Sequence, residues 1–434
     1  PPPAPRRGAT VRRRKKKQKK KFRPVRYAQT PVLGAADRHM VSRFSYGTTP
    51  ELVREVQAAG GGLAWFEQQL ATADADAAIG DWWPDLHRDA ATLWKRQQDE
   101  VRAVWEVMSD YSCRLMVRRM TSPHQVLERM TEFFEAHLHV PVNGDKQGVW
   151  RASYGDVIRR HALGRFDEML VEAITHPSML LFLDQAVSTK KAPNENLGRE
   201  VLELHTVGRE AGYSEREVVA SSKLLTGFTL DTTTTFRAGY DPQRHATGRV
   251  RVLDFTHRNA DADGRPALDA YLEHLALHPS TARRLARRLA VRFVSDDPPR
   301  GLVREGAKAY RRSGSDIPTT LRALVDHPAF RRARWEKTRN PSDDVVHMAR
   351  VLGLQPSGAT DSSAFIWYLV RQAAAQGQVS FRWPTPDGWP EHGAGYLSAS
   401  RVLRAWRSRY DVSGTAGPVL LSVDVPSKAS QLPD

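Results

Sequence analysis

From about Ala36 to Arg409 the chain is a succession of short amphipathic runs, each closed by proline, glycine or a small polar residue. That pattern leaves little room for a sheet and predicts a mainly α, large multi-helix single domain over 36–410. "TTPELVREVQAAGGG" reads as an N-cap threonine, Pro50 in the first turn, an apolar stripe and glycines to stop it. Those glycines are no phosphate loop, because no strand precedes them and no GKS or GKT follows. "DEVRAVWEVMSDYSCRLMVRRM" reads as one long helix, and "PHQVLERMTEFFEAHLHV", "DVIRRHAL", "RFDEMLVEAIT" and "EREVVASSKLLTG" as further ones. The exception is 227–255, where threonine and aromatic alternation in "GFTLDTTTTFRAGY" and "GRVRVLDF" predicts a small β-hairpin insertion with a long connection.

Three segments repeat one device: "ITHPSM", "ALHPST" and "VDHPAF" each follow an amphipathic run. Proline pushes its predecessor out of the α region, so His176, His278 and His327 are each expected to end a helix. There an imidazole is placed to meet exposed carbonyls and the negative end of the dipole.

The net charge of +16 points to nucleic acid until it is located. Residues 1–26 hold 13 Lys and Arg and no acid, leaving 52 basic against 49 acidic residues in the rest. The basicity therefore belongs to a tail, with residues 1–30 expected to be disordered, as are 411–434. Residues 1–26 suit an anionic polymer, a membrane surface or nucleic acid, held by counterion release; a solubilising remnant is the plainer reading. No apolar run approaches the ~20 residues needed to cross a bilayer, so no transmembrane segment is expected. No apolar signal-peptide core follows the charged stretch. The single cysteine, Cys113, excludes an internal disulfide and reads as a small buried hydrophobe.

Chemistry concentrates in two helices. In "PNENLGREVLELHTVG", Asn194 or Asn196 caps a helix whose Leu197, Val201 and Leu204 form the apolar stripe. Glu203 is expected to pair with Arg199 one turn back, while Glu200 and Glu203 repel unless a cation or proton sits between them. In "RMTEFFEAHLHVP", Glu132 and Glu135 repeat that spacing and His137 and His139 follow. Glutamates three apart on two helices, with histidines nearby, resemble the inward ligands of helix-bundle metal sites, though the Glu-x-x-His spacing of di-iron proteins is missing. A charged solvated face, or a buried polar network joining helices, is the alternative.

"HPSMLLFLDQAVSTKKAPNENLGREVLELHTVG" with "GYSEREVVASSKLLTGFT" resembles the bacterial domain-of-unknown-function 1800 family, whose pattern runs His-Pro-Met-Leu, Pro-Asn-Glu-Asn, Arg-Glu, Glu-Leu and Leu-Gly. The resemblance extends from "HMVSRFSYGTTPELV" to "PTPDGWPEHGAGYLSASRVL". The family's Phe-Trp-His-Asn-His-Phe stands here as Phe133, Phe134, Glu135, Ala136, His137 and Leu138, so glutamate replaces the first histidine. Its His-Asp-x-Gly matches His245 and Gly248 with Ala246 between, and its Leu-Phe-Thr-Leu-Gly has become Leu204 to Gly208. The resemblance implies a helical fold and export to the bacterial envelope, and names no activity.

Together these segments give a working hypothesis. Glu135, His137, Glu200, Glu203 and His245 converge on one cleft, either as ligands of one divalent metal ion or as acid and base groups led by Glu200, Glu203 and His137. Trp383, Trp389 and Tyr396 in "FRWPTPDGWPEHGAGYLS" either form an aromatic platform or pack over the core, with Ser398 or Ser400 capping the next helix. A non-catalytic scaffold for an anionic polymer or partner protein is the competing reading, and nucleic-acid binding through the tail a third. No Gly-x-Ser-x-Gly elbow, His-Glu-x-x-His or dinucleotide fingerprint occurs.

Overall fold

A computed structural model describes residues 32–71, 82–354, 356 and 359–413; the basic tail and residues 414–434 lie outside the described residues. The fold is mainly α, with nineteen α-helices and two small antiparallel sheets among the described residues. Three short helices open it: α1 (Ala35–Phe44), α2 (Pro50–Ala59) and α3 (Gly62–Leu70). As the sequence predicts, Thr49 caps α2 by accepting from the Leu52 amide, and Gly60 ends it at φ 93°. Four helices follow, the last three of them longer: α4 (Ala90–Gln98), α5 (Val104–Thr121), α6 (Gln125–His137) and α7 (Asp145–His161). The expected helix over 99–120 is thus shorter at its start. Glu100 takes φ 54°, and the Glu106 carboxylate accepts from the Ala103 amide, so α5 begins afresh there.

The middle of the chain is α8 (Phe166–Thr175), α9 (Pro177–Phe182), α10 (Glu195–Glu200) and α11 (Glu215–Leu225). After it come β1 (Phe228–Leu230) with β2 (Ala238–Tyr240), and β3 (Val250–Val252) with β4 (Phe255–His257). The strands form two local hairpins, Phe228 opposite Tyr240 and Val250 opposite His257, rather than one hairpin spanning the segment. Asp231 explains the first: its carboxylate accepts from the amides of Thr233, Thr234 and Thr235 and closes the turn locally. In the second, Leu253 turns at φ 53° and its amide is taken by the Glu217 carboxylate.

Five helices then pack in sequence: α12 (Arg265–Leu277), α13 (Pro279–Phe293), α14 (Arg300–Arg312), α15 (Ile317–Asp326) and α16 (Pro328–Arg332). His176, His278 and His327 stand at helix boundaries, as expected, but their rings serve the helix that follows. Each Nδ1 accepts, at 3.1 Å, from the amide two residues on: Ser178, Ser280 and Ala329. The proline between them has no N–H, so the first amide needing a partner is the one the imidazole reaches. The expected contact with the preceding helix's carbonyls is replaced by an N-cap.

The chain closes with α17 (Pro341–Val351), α18 (Ala359–Ala375) and α19 (Ala399–Ser413). Its buried apolar residues form two clusters. One collects α1–α3, α6 and α8–α16; the other collects α4, α5, α17 and α18. Helix α7 joins them, giving Tyr154 and Ile158 to the first and Val149 and Trp150 to the second.

Candidate functional site

Within the first cluster lies α6, and all thirteen of its residues are buried. A helix buried on every side is normally apolar throughout. Here Gln125, Glu128, Arg129, Thr131, Glu132, Glu135 and His137 are among the buried, so each needs a partner inside the protein. Glu128 pairs with Arg159 at 2.7 Å, and Glu132 meets Arg292 at 2.5 Å, Arg119 at 3.5 Å and Arg129 at 3.6 Å. The Tyr46 hydroxyl adds a hydrogen bond to Glu132 at 3.0 Å. Burial opposes ionisation of Glu132, yet Arg119, Arg292 and Arg129 hold its carboxyl far below the usual carboxylate range. Asp343 against Arg129 at 2.6 Å and Glu391 against Arg292 at 3.3 Å complete a network of three arginines and three carboxylates.

One turn further, Glu135 accepts from the Tyr111 hydroxyl at 2.9 Å and from Arg151 Nη2 at 3.1 Å. Arg151 is 1% exposed and stacks on Phe381, 4.5 Å from the ring centroid; its Nη1 and Nε have no partner among the described residues. Glu132, Glu135, His139, Arg151 and Arg292 all line a cavity of about 80 Å³. Burial lowers the His139 pKa to about 4, leaving a neutral ring that donates from Nε2 to the Trp383 carbonyl at 3.0 Å.

That bond is one of two pins under the aromatic loop. The other is Gly388, at φ 71°, where a β-carbon would come within 2.0 Å of the Ala136 carbonyl oxygen on α6. The loop therefore lies directly across α6, with Trp389 and Tyr396 in the cavity wall and Trp383 packed on Trp389 at 4.8 Å. Ser398 caps α19 through the Arg401 amide, as the sequence predicts.

Arg292, Asn340, Glu391 and Tyr396 also line a second cavity of about 100 Å³ on the outer side. Its further cations are Arg43, Arg129, Lys337 and Arg339. Lys337 is paired with Asp296, and Arg129 with Asp343. Arg43 and Arg339 have no carboxylate within ion-pair distance among the described residues. Arg43 gives Nη2 to the Ala333 carbonyl, and burial lowers its pKa to about 10.

The five residues singled out from the sequence fall in four places. Glu135 lines the inner cavity. His137, from the same helix, points the other way: Arg288 donates to its Nδ1 at 2.9 Å, and its Nε2 donates to the His205 carbonyl at 3.0 Å. Burial, then Arg288, keeps its ring neutral. His245 belongs to the hairpin region, with Nδ1 2.9 Å from the Thr226 carbonyl and Nε2 2.9 Å from Asn259 Oδ1.

Glu200 and Glu203 stay together, partly exposed, at a π-helical turn over Val201–His205. That turn changes their register. Glu203 pairs with Arg209 at 2.7 Å, and Arg199 pairs instead with Glu195 and Glu215. Burial and the neighbouring Glu203 raise the Glu200 pKa, and Asp387 of the aromatic loop adds to the effect. Among the described residues, no group of three or more His, Cys, Asp or Glu side chains is arranged to hold a metal ion.

What connects α6 to the π-helical turn is α13. Arg284, Arg288 and Arg292, one turn apart, reach in order the Leu204 carbonyl, His137 and Glu132. The sequence reading missed this rail, and with it Arg151, Arg119, Arg129 and Glu391. The missed signal is an arginine every fourth residue in "RRLARRLAVRF", which the near-neutral total charge of the body conceals.

No curated protein and no solved structure matches the chain. The family model described as "Protein of unknown function (DUF1800)" matches residues 39–432, which include α6, the arginine rail of α13 and the aromatic loop. On that match, the chain belongs to the DUF1800 family.

Proposed function

We propose that the cleft beneath the Trp383–Tyr396 loop binds a small ligand through an anionic group, a phosphate or a carboxylate. Arg151 carries this reading. It is 1% exposed, lines the inner cavity, and keeps two N–H-bearing nitrogens without a partner. Leaving buried donors unmet costs about 1–3 kcal/mol each, and an oxyanion in the cavity can accept a charge-assisted hydrogen bond from Nη1. Arg43, whose Nε is also buried without a partner, and Arg339, with no carboxylate at ion-pair distance among the described residues, favour negative charge in the outer cavity. At about 80 and 100 Å³ the two spaces suit a group of a few heavy atoms, since a water takes about 30 Å³.

Glu132 does not compete for the ligand, because three arginines already clasp it. Glu135 shares the wall with Arg151 and holds the Tyr111 hydroxyl, so we assign it proton transfer with the bound ligand. A single divalent metal ion on Glu135, His137, Glu200, Glu203 and His245 draws less support, since their donor atoms serve separate partners.

Calorimetric titration of the full chain with phosphate, sulfate and small carboxylates tests the reading. The wild type is expected to bind one equivalent, Arg151→Met to weaken it at least about tenfold, and Glu135→Gln to retain it. Anions taken up by the basic tail bind in several equivalents and ignore Arg151. Affinity unchanged in Arg151→Met rejects the assignment.

A further inference from the structure

Helix α13 carries arginines on a second face. Beside the rail, about 100° round the helix, Arg283 and Arg287 line a groove of about 750 Å³ between α13 and α14. From α14 come Arg300, Arg304, Lys308, Arg311 and Arg312. All seven side chains are exposed, and no aspartate or glutamate lines the groove. Glu305 approaches Arg304 and Lys308 only at 3.9 and 4.0 Å, and Arg283 donates to the Ser280 hydroxyl at 3.1 Å. Like charges one turn apart on a helix repel. Arg283 with Arg287, and Arg300 with Arg304 and Lys308, accept that repulsion with almost no internal carboxylate to relieve it. An external anion relieves it.

We infer that this groove docks an extended phosphodiester chain, held by its phosphates alone. Six of the seven cations are arginines, whose planar fork matches phosphate geometry. Along α14 they recur each turn, a step of about 5–6 Å, so they meet charges spread along a backbone rather than one point charge. The apolar part of the lining is Pro279, Pro298, Val303 and Ala307, with no aromatic ring among the lining residues on which a base would stack. The lining is concave and offers no large apolar side chain to enter a bilayer.

The test titrates a fluorescent abasic phosphodiester oligomer into the full chain at about 50 mM salt, beside an oligothymidylate and an oligoglutamate of equal charge. Arg287→Glu with Arg304→Glu is expected to weaken both phosphate probes at least about tenfold. Arg404→Glu with Arg407→Glu, exposed on α19 and equal in charge change, is expected to leave them nearly as in the wild type. Hydrogen exchange should slow across 279–312 when the abasic probe binds. Arg300→Gln with Arg311→Gln repeats the test if the first variant is unfolded by circular dichroism. Equal losses in the groove and control variants overturn the inference. So does oligoglutamate binding as tightly as phosphate, which points to an acidic protein partner. Thymidylate binding more than about tenfold tighter than the abasic chain also overturns it, because bases are then being read.

Discussion

His137 and His205 hold each other's main chain. His137 donates from Nε2 to the His205 carbonyl at 3.0 Å, and His205 donates from Nδ1 to the His137 carbonyl at 3.1 Å. The exchange locks the C-terminus of α6 to the π-helical turn and so fixes Glu135 relative to Glu200 and Glu203. It works with both rings neutral, and burial lowers the His205 pKa to about 4.

Stability should therefore depend on pH in a stated direction. Unfolded histidines titrate near 6.5, while burial brings His205, His139 and His347 to about 4 in the fold and holds His137 well below its ordinary value. Between those values the unfolded chain binds more protons, so stability is full above about pH 6.5 and falls as pH drops towards 4. His205→Asn keeps a donor at the δ position without titrating there. The slope of melting temperature against pH should be shallower in that variant than in the wild type.

Removing the central carboxylate should be expensive. Glu132→Gln leaves Arg119, Arg129 and Arg292 facing one another, and breaking a buried pair on one side costs about 3–5 kcal/mol. Thermal denaturation should show a fall of several degrees, against little change for the exposed Glu51→Gln.

Gly388→Ala should lift the aromatic loop. A methyl group there meets the Ala136 carbonyl oxygen at 2.0 Å, and the left-handed backbone disfavours any side chain. Tryptophan emission should shift to the red as Trp383 and Trp389 gain water, while helix content by circular dichroism stays near that of the wild type.

The His-Pro caps should behave as acceptors. His278→Ala is expected to cost about 0.5–2 kcal/mol, and His278→Asp to recover most of it, because aspartate also accepts from the Ser280 amide. A ring that served the preceding helix's carbonyls would give the reverse order.

Cys113 should be inert in the folded protein. Burial pushes its thiol up to about 12. A disulfide reagent at neutral pH should label it only after unfolding.

The helices, their caps and the α6 segment were legible because each is set by local periodicity and local hydrogen bonding. The partners across the fold were not. Glu132 and Glu135 look like any helix pair until α13 brings Arg292 and α7 brings Arg151, from 160 and 16 residues away. His245 illustrates the converse: its motif placed it with the others, yet Thr226 and Asn259 use both ring nitrogens inside the hairpin region. The register of Glu203 was lost at the π-turn, because a 3.6-residue period no longer holds there.

The cleft is tested most directly by diffraction from crystals soaked in selenate, whose anomalous signal locates an anion without assumption. A peak is expected within hydrogen-bonding distance of Arg151 Nη1, and it should vanish in Arg151→Met. Selenate bound elsewhere, with only ordered water against Arg151, would contradict it.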